Sequence, residues 1–294
     1  MINRLKSSSS YSISRWKSSN NAFSATSNAN QFSTNTVSSS EVEKFASLSS
    51  SWWDHTKNPL IAMNPVRIQY ILHTIESTIN KGNTQKKQIL NNVRILDVGC
   101  GGGLLSESLS RLGGSVTAID PSNEIVNVAR AHAKLDSQLN IDFRGGMSIE
   151  DLVKDHQQQE QQPFDVICVM DVIEHTKYPE QILQSASELL RKPSGDGDPG
   201  GILFASTLNR TLQSYLLAIV GAEYLTSMLP VGTHDWNQFL SPEEFQRKLP
   251  PQMKVLDVCG MVAKPNVCNV TDLRWNLDQN DTNVNWIGAY AFKT

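Results

Sequence analysis

Two carboxylates and an imidazole, Asp171, Glu174 and His175, directly follow an apolar run at residues 164–170. Three such side chains so close in sequence can converge on one cation, and an oxygen-rich set suits Mg²⁺ or another hard divalent ion. The same cluster could instead lie on the surface and cap the helix that follows it. The spacing alone leaves a divalent metal site and a helix cap as alternatives.

A glycine-rich stretch, V-R-I-L-D-V-G-C-G-G-G at residues 93–103, is a second feature with chemical meaning. Its apolar and β-branched start predicts a buried strand, which the glycines end. Glycines such as Gly99 and Gly101 let the backbone turn tightly and lie against a ligand. A dinucleotide-binding loop would need a third glycine where Leu104 stands, and no lysine follows as a P-loop requires.

Two aspartates accompany this loop: Asp97 closes the first strand, and Asp120 ends the next predicted strand, residues 116–119. Asp120 is placed to accept hydrogen bonds from both ribose hydroxyls of an adenosine. Asp97 offers a carboxylate to a ligand that carries an ammonium group and a sulfonium. In these features the chain resembles the class I S-adenosylmethionine-dependent methyltransferases, with a glycine-rich turn in some other α/β domain as the alternative.

The elements that would position these residues alternate between strands and helices. Apolar runs predict strands near residues 93–98, 116–119, 141–143, 164–170 and 201–206, with the last strands at 253–258 and 286–292. We predict an α/β, Rossmann-like class I methyltransferase fold with a seven-stranded, mostly parallel sheet, an antiparallel last strand and additional N-terminal helices. Such sheets bind ligands at the carboxyl ends of their strands, so Asp171, Glu174 and His175 should lie beside the glycine-rich loop.

Composition and charge limit the classes of function. The 294 residues carry a formal net charge of −3, and 39% of them are hydrophobic. The chain therefore has enough apolar residues for a core and no basic field to collect phosphates, so no nucleic-acid partner is predicted. No run is apolar for the ~18 residues that a membrane-spanning helix needs. The cysteines lack C-x-x-C spacing and are interpreted as reduced thiols. They are Cys100, Cys168, Cys259 and Cys268.

The sequence divides into three parts. Residues 1–40 are basic and rich in serine, and they lack aspartate and glutamate, which is typical of a mitochondrial transit peptide; a disordered tail is the alternative. Residues 41–90 are predicted to form an N-terminal helical extension. Residues 91–294 are predicted to form the methyltransferase domain, with an insertion at 208–236. The glutamine-rich residues 157–162 are predicted to be a mobile surface loop.

Arg67 belongs to the N-terminal extension. It lies on the first turn of a helix that Asn64 is predicted to cap and Pro65 to begin. The buried stripe of this helix runs through Ile68 and Ile71, so Arg67 points elsewhere, either to a ligand or to solvent.

The insertion contains an apolar helix predicted over residues 211–229. At about 1.5 Å per residue it would be roughly 29 Å long, close to the thickness of a bilayer core. Glu223 interrupts the apolar run, so the helix is better suited to lie in the plane of a membrane interface than to span the bilayer. A helix packed over the substrate as a lid is the alternative.

A narrower resemblance rests on several runs in consistent order across residues 41–294. These runs are F-A-S-L-S-S-S-W-W-D at 45–54, N-P-V-R at 64–67, L-D-V-G-C-G-G-G at 96–103, M-D-V-I-E-H at 170–175, S-T-L-N-R-T-L-Q-S-Y-L-L-A-I-V-G-A-E-Y at 206–224 and G-T-H-D-W at 232–236. With them the chain resembles the ubiquinone-biosynthesis O-methyltransferases. That family methylates hydroxyls of polyprenylated catechol-type rings in two steps of its pathway and requires a divalent cation.

The resemblance implies roles for individual residues. Contacts with S-adenosylmethionine are implied for Arg67, Gly99, Asp120 and Met170, and Gly101 belongs to the same loop. Asp171, Glu174 and His175 would hold Mg²⁺ or another divalent cation. Asp171 stands where the family often has glutamate, and its shorter side chain could shift the metal preference.

The expected chemistry needs positioning and charge. A phenol has a pKa of about 10, so only a minor fraction is phenolate at neutral pH. A chelated cation would stabilise the phenolate and align its oxygen with the sulfonium methyl, after which S-adenosylhomocysteine leaves. His234 is the best single prediction for an assisting base, because it sits in a polar loop and histidine titrates near neutrality. A structural role for His234 is the alternative.

The resemblance also implies a place of action. An enzyme of this family is expected to bind peripherally to the matrix side of the mitochondrial inner membrane, next to other proteins of the ubiquinone-biosynthesis complex. Its substrate would be a polyprenylated dihydroxybenzoate or demethylubiquinol. A methyltransferase of another small catechol and a cofactor-binding scaffold of a membrane complex are the alternatives.

Overall fold

The computed structural model describes residues 36–78, 89–195, 197–225, 232–266 and 269–294, without the side chains of 221–225, 265–266 and 269–272. These residues belong to one compact unit that spans Thr34–Thr294. Most of the predicted leader lies outside the described residues, and so does Cys268.

Within the described residues, eight strands form one mixed sheet in the order β3-β2-β1-β4-β5-β8-β6-β7. The strands are β1 (Arg94–Val98), β2 (Ser115–Asp120), β3 (Ile141–Gly145), β4 (Val166–Met170), β5 (Ile202–Leu208), β6 (Met253–Asn266), β7 (Asn269–Asp278) and β8 (Asn285–Phe292). Strands β1 to β5 pair in parallel. Strand β8 runs antiparallel to both of its neighbours, and β6 pairs antiparallel with β7. The predicted α/β class is confirmed.

The prediction of seven strands missed β7. In this strand Leu273, Trp275 and Leu277 alternate with the exposed Arg274 and Asn276. This is the period-two pattern of a strand with one covered face at the edge of a sheet. Because polar residues stand between the apolar ones, this segment contains no continuous apolar run to mark it as a strand.

Helices surround the sheet. They are α1 (Ser39–Ser47), α2 (Pro59–Thr78), α3 (Leu104–Arg111), α4 (Asn123–Ala133), α5 (Ile149–Gln159), α6 (Pro179–Leu189), α7 (Leu212–Ser214) and α8 (Pro242–Lys248). Short 3₁₀ turns lie at Ser49–Ser51, Ile173–His175 and Trp236–Gln238, and α7 continues as a π-helix over Tyr215–Leu225. Among the described helices, none combines the length and the apolar character that crossing a membrane requires.

A buried apolar cluster lies on each face of the sheet. On one face Ile95 packs with Ile71 of α2 and Leu109 of α3. On the other face Leu96 packs with Leu183 of α6. Successive residues of a strand point to opposite faces, so a continuous apolar run such as that of β1 indicates a strand covered on both sides.

Two local predictions are wrong. Helix α2 begins at Pro59 rather than at Pro65, because the side chain of Asn58 accepts a hydrogen bond from the backbone two residues later at 3.0 Å. Asn64 instead packs inward and donates to the carbonyl oxygen of Leu104 at 3.1 Å. The glutamine-rich stretch is a loop only in its second half, since α5 includes its first three residues and ends at Gln159.

Candidate active site

The glycine-rich loop leaves β1 at the carboxyl edge of the sheet. Gly99 and Gly101 have φ angles of 68° and 52°, in the left-handed region that favours glycine. The N–H groups of Gly99 and Cys100 donate to the carbonyl oxygen of Ile119 at 2.9 and 3.0 Å. These bonds fasten the loop to the end of β2.

Asp120, at the end of β2, holds the same loop with its side chain. Its Oδ2 accepts a hydrogen bond from the N–H of Gly101 at 3.0 Å, and its Oδ1 accepts one from the N–H of Ser122 at 2.8 Å. Burial raises the pKa of the Asp120 carboxyl, and the two hydrogen bonds oppose that rise. The carboxylate predicted to bind a ribose is therefore fixed in place against the loop.

Asp97, which lies in β1 just before the loop, is buried, with 2% of its surface exposed. Ser106 of α3 donates a hydrogen bond to its Oδ2 at 2.5 Å. Burial raises the pKa of Asp97 to about 7, and the negative charge of Asp120 also raises it. The hydrogen bond from Ser106 and the positive charge of Arg67 lower this pKa and oppose the rise. Asp97 therefore changes its charge near neutral pH.

Two tryptophans of the N-terminal extension cover the loop. The indole of Trp52 lies so close that a Cβ added to Gly101 or Gly102 would come within 2.3 or 2.1 Å of it. Trp53 donates from Nε1 to the carbonyl oxygen of Gly102 at 3.1 Å and stacks on His132, with ring centroids 3.4 Å apart. These glycines therefore make room for the indole of Trp52.

Arg67 is buried, with 4% of its surface exposed, so its solvent-exposed alternative is excluded. Its guanidinium pairs with the carboxylate of Asp171 and contacts the Sδ atom of Met63 at 3.0 Å. The Nε–H of Arg67 is enclosed and finds no hydrogen-bond acceptor among the described residues. A buried guanidinium with an unused donor fits an anionic group of a ligand.

Asp171 follows β4 with a φ angle of 53°, which is rare for a residue other than glycine. Its N–H donates to the carbonyl oxygen of Ser206 at 3.0 Å, and its Oδ1 accepts a hydrogen bond from Ser206 Oγ at 2.7 Å. Arg67 takes the other carboxylate oxygen. Both oxygens of Asp171 are therefore engaged with the protein.

Glu174 is buried in the turn that follows Asp171, with 4% of its surface exposed. Its Oε2 accepts a hydrogen bond from Thr207 Oγ1 at 2.8 Å. Burial and the charge of Asp171 raise its pKa to about 7, against the opposing effect of His175. The surroundings of this carboxyl thus disfavour its charged form.

His175 is held by a residue of α1. Its Nδ1 lies 2.9 Å from Oε2 of Glu41. The hydrogen bond with His175 lowers the pKa of Glu41 to about 2, with Lys44 assisting and burial opposing. Glu41 is therefore ionised, and His175 must donate from Nδ1. The imidazole of His234 lies beside that of His175, with centroids 6.1 Å apart.

The glycine-rich loop, the indole of Trp52, the buried acids and the two imidazoles line one cavity of about 1140 Å³. The residues that the sequence predicted for the site lie together in its wall: Arg67, Gly99, Gly101, Asp120, Met170, Asp171, Glu174, His175 and His234. Pockets for a single drug-sized ligand have volumes of about 300–1,000 Å³, so this cavity has room for a cofactor and a second molecule.

Comparison with known proteins identifies the family. A family model described as a methyltransferase domain matches residues 67–252. The ubiquinone biosynthesis O-methyltransferase of Pelagibacter ubique is 39% identical over 261 residues, which cover 87% of this chain and 98% of that protein. This chain belongs to the ubiquinone biosynthesis O-methyltransferase family. The family and the enzyme class expected from the sequence are confirmed.

Other similar proteins agree with this O-methyltransferase family and fold. The Xylella fastidiosa (strain 9a5c) ubiquinone biosynthesis O-methyltransferase is 42% identical over 238 residues, which cover 79% of this chain and 86% of that protein. The plantazolicin methyltransferase BamL, solved with S-adenosylhomocysteine, superimposes with a TM-score of 0.55 at 15% identity, covering 86% of this chain and 97% of that one. Magnesium protoporphyrin IX methyltransferase from Synechocystis superimposes with a TM-score of 0.52 at 16% identity. The match covers 87% of this chain and 95% of that one. The Rossmann-like methyltransferase fold is confirmed.

The predicted metal site of this O-methyltransferase does not form. Across the described residues, no three His, Cys, Asp or Glu side chains are grouped so that they could hold a metal ion. Asp171 forms an ion pair with Arg67, Glu174 accepts a hydrogen bond from Thr207, and His175 donates a hydrogen bond to Glu41. Each of the three side chains therefore already has an ion-pair or hydrogen-bond partner in the protein.

Sequence reasoning missed three residues of the O-methyltransferase site. Glu41 lies far from His175 in the chain, and no local pattern links the two. Trp52 and Trp53 stand within one of the runs that carry the family resemblance. Two adjacent tryptophans in a polar segment are a signal that they pack against another part of the protein.

Proposed function

We propose that this enzyme transfers the methyl group of S-adenosylmethionine to a hydroxyl of a polyprenylated dihydroxybenzoate or demethylubiquinol ring. The observation that carries the proposal is one cavity that is lined by both the glycine-rich loop and two neighbouring imidazoles. The names of the similar proteins supply the substrate class. The test is transfer of a labelled methyl group to a panel of hydroxylated rings, in which only adjacent hydroxyls and a prenyl tail together should give full activity.

The cofactor would be held by residues that already line the cavity. The backbone of Gly99 and Gly101 would lie against the methionine part and Asp120 against the ribose, with Met170 alongside. The unused Nε–H of Arg67 supports a role in binding the cofactor's carboxylate. When bound, S-adenosylmethionine supplies a methyl group made electrophilic by the sulfonium.

The two imidazoles suit a ring with adjacent hydroxyls. His234 takes the proton of the hydroxyl that reacts, and the resulting phenolate oxygen forms the bond to the methyl carbon as the carbon–sulfur bond breaks. His175 accepts a hydrogen bond from the neighbouring hydroxyl at Nε2, because its Nδ1–H is committed to Glu41. Together the two histidines orient the ring and remove one proton.

No step is assigned to a divalent cation, because Asp171, Glu174 and His175 in this arrangement do not fit one. A cation at this place would require Arg67 to release Asp171. The requirement for Mg²⁺ stays a prediction from the family resemblance. Activity lost with a chelator and restored by Mg²⁺ would support it, and activity unchanged by chelation would leave the chemistry to the protein groups.

The place of action is proposed to be the matrix face of the mitochondrial inner membrane, in contact with other proteins of ubiquinone biosynthesis. The acid-free leader supports the mitochondrial part of this proposal. Peripheral attachment is supported by apolar side chains that face solvent at the start of the insertion. These are Leu212, Tyr215, Leu216 and Leu217, which are 73%, 40%, 50% and 54% exposed.

A further inference from the structure

The cavity has an apolar wall that none of the predicted site residues supplies. It is built by Met261 and Ala263 of β6 and by Leu273 and Trp275 of β7. Ala263 pairs with Trp275 across the two strands, so both residues lie on the same face of the sheet. The strand that the sequence did not predict therefore contributes to the active-site cavity.

Trp275 brings a hydrogen-bond donor to this wall. Its Nε1–H is enclosed and finds no acceptor among the described residues. A buried indole N–H normally has a partner, because leaving it unpaired costs free energy. An oxygen atom of a molecule bound in the cavity would satisfy this donor, and the indole face offers a flat apolar surface to an aromatic ring.

The same cavity reaches the exposed apolar segment of the insertion. Leu217 lines the cavity and is also 54% exposed to solvent. Leu212 and Leu216, which are 73% and 50% exposed, lie just before it in the chain. Apolar side chains therefore continue from the protein surface into the cavity, along a route that a long hydrocarbon chain could follow.

We propose that the wall formed by Met261, Ala263, Leu273 and Trp275 is the subsite for the acceptor ring, and that the prenyl tail leaves it past Leu217. Trp275 packs against the ring and donates from Nε1 to one of its oxygens. Leu217 contacts the first isoprene units of the tail. This assignment rests on the proposed function, because it takes the acceptor to be a prenylated ring.

Binding of two acceptors to the complex with S-adenosylhomocysteine tests the assignment without any turnover. The probes are 3,4-dihydroxybenzoate and the same ring with a geranyl tail, measured by calorimetry. We expect Trp275→Phe to raise Kd for both probes about tenfold, since the ring packing stays and one hydrogen bond is lost. Leu217→Ala should raise Kd for the geranylated probe about fivefold and leave the tailless probe unchanged.

Asn276→Ala is the matched control, because this side chain lies next to Trp275 on the exposed face of β7. It should change neither Kd. Unchanged affinity for S-adenosylhomocysteine in all three variants shows that each one is folded. Equal Kd values for wild type, Trp275→Phe and Leu217→Ala would overturn the subsite. If the expected binding pattern appears but no methyl group is ever transferred to the geranylated ring, the proposed function fails and the subsite stands.

Discussion

Oε2 of Glu41 lies 2.9 Å from Nδ1 of His175, which connects the N-terminal helix α1 with the turn that follows β4. Lys44 bonds the other oxygen of Glu41 at 2.6 Å and also donates to the carbonyl oxygen of Gly232 at 2.9 Å. Helix α1, which precedes the residues that the family model matches, therefore contributes to the wall of the active site. It also orients an imidazole that faces the cavity.

Replacing Glu41 with Gln should lower kcat about tenfold and leave KM for S-adenosylmethionine unchanged. The neutral amide no longer fixes the tautomer of His175. The substrate hydroxyl that donates a hydrogen bond to Nε2 of His175 is therefore less well oriented. Glu43→Gln, on the exposed face of the same helix, is the control and should retain full activity. A normal kcat for the Glu41→Gln enzyme would mean that His175 does not orient the substrate hydroxyl.

Replacing Arg67 with Ala should weaken S-adenosylhomocysteine binding by about 1.5–3 kcal/mol, the usual range for a hydrogen bond to a charged group. Calorimetry measures this change. Asp171→Asn is the comparison, because it breaks the same ion pair and keeps the guanidinium. If Asp171→Asn weakens binding as much as Arg67→Ala does, Arg67 acts only through the ion pair and does not touch the cofactor.

The affinity for S-adenosylhomocysteine should increase as the pH rises through about 7. The pKa of Asp97 is raised to about 7, so below this pH the free protein holds a neutral carboxyl that cannot attract the ligand's ammonium group. Binding favours the ionised form and therefore releases a proton. Titrations in buffers of different ionisation enthalpy should detect this proton.

Asp97→Asn should abolish both the pH dependence and the proton release. Asp142→Asn, which changes an exposed acid on β3, should retain both effects. Binding that is independent of pH between 6 and 8 in the unaltered protein would mean that Asp97 does not face the ammonium group.

Protein lacking residues 1–33, which precede the compact unit, should float with liposomes, and Leu212→Glu, Leu216→Glu should abolish flotation. Both leucines are exposed, so two charges there remove apolar contact without disturbing a core. Arg210 forms an ion pair with Glu244, so its charge is partly neutralised. We therefore expect apolar contact to contribute more to membrane binding than attraction between Arg210 and anionic lipid. Flotation that persists in the double variant would place membrane contact elsewhere.

The local parts of the fold were predictable from sequence. The apolar run before Gly99 and the glycines themselves indicated a buried strand and a binding loop because both signals lie within one short stretch. Asp120 followed from the next strand by the same logic. Strand β7 was not predicted, because the apolar residues around Trp275 alternate with polar ones, as an edge strand allows, and form no continuous apolar run.

The contacts between distant segments were not predictable. Spacing alone could not show that Arg67 reaches Asp171, and this ion pair is what removes Asp171 from the predicted metal site. The link between Glu41 and His175 is also long-range and follows only from the packing of α1 on the domain. The residues predicted for the site do line one cavity. Their hydrogen-bond and ion-pair partners, however, depend on tertiary packing and could not be read from the sequence.

The most direct test is a single reaction that contains the protein, S-adenosylmethionine with an isotopically labelled methyl group and a geranylated catechol. We predict that the label appears on a ring oxygen of the catechol, located by NMR, with one S-adenosylhomocysteine formed for each methyl ether. His234→Gln should slow this transfer and leave the position of the label unchanged. Tight binding of the cofactor without any labelled methyl ether, under conditions with and without Mg²⁺, would contradict the account.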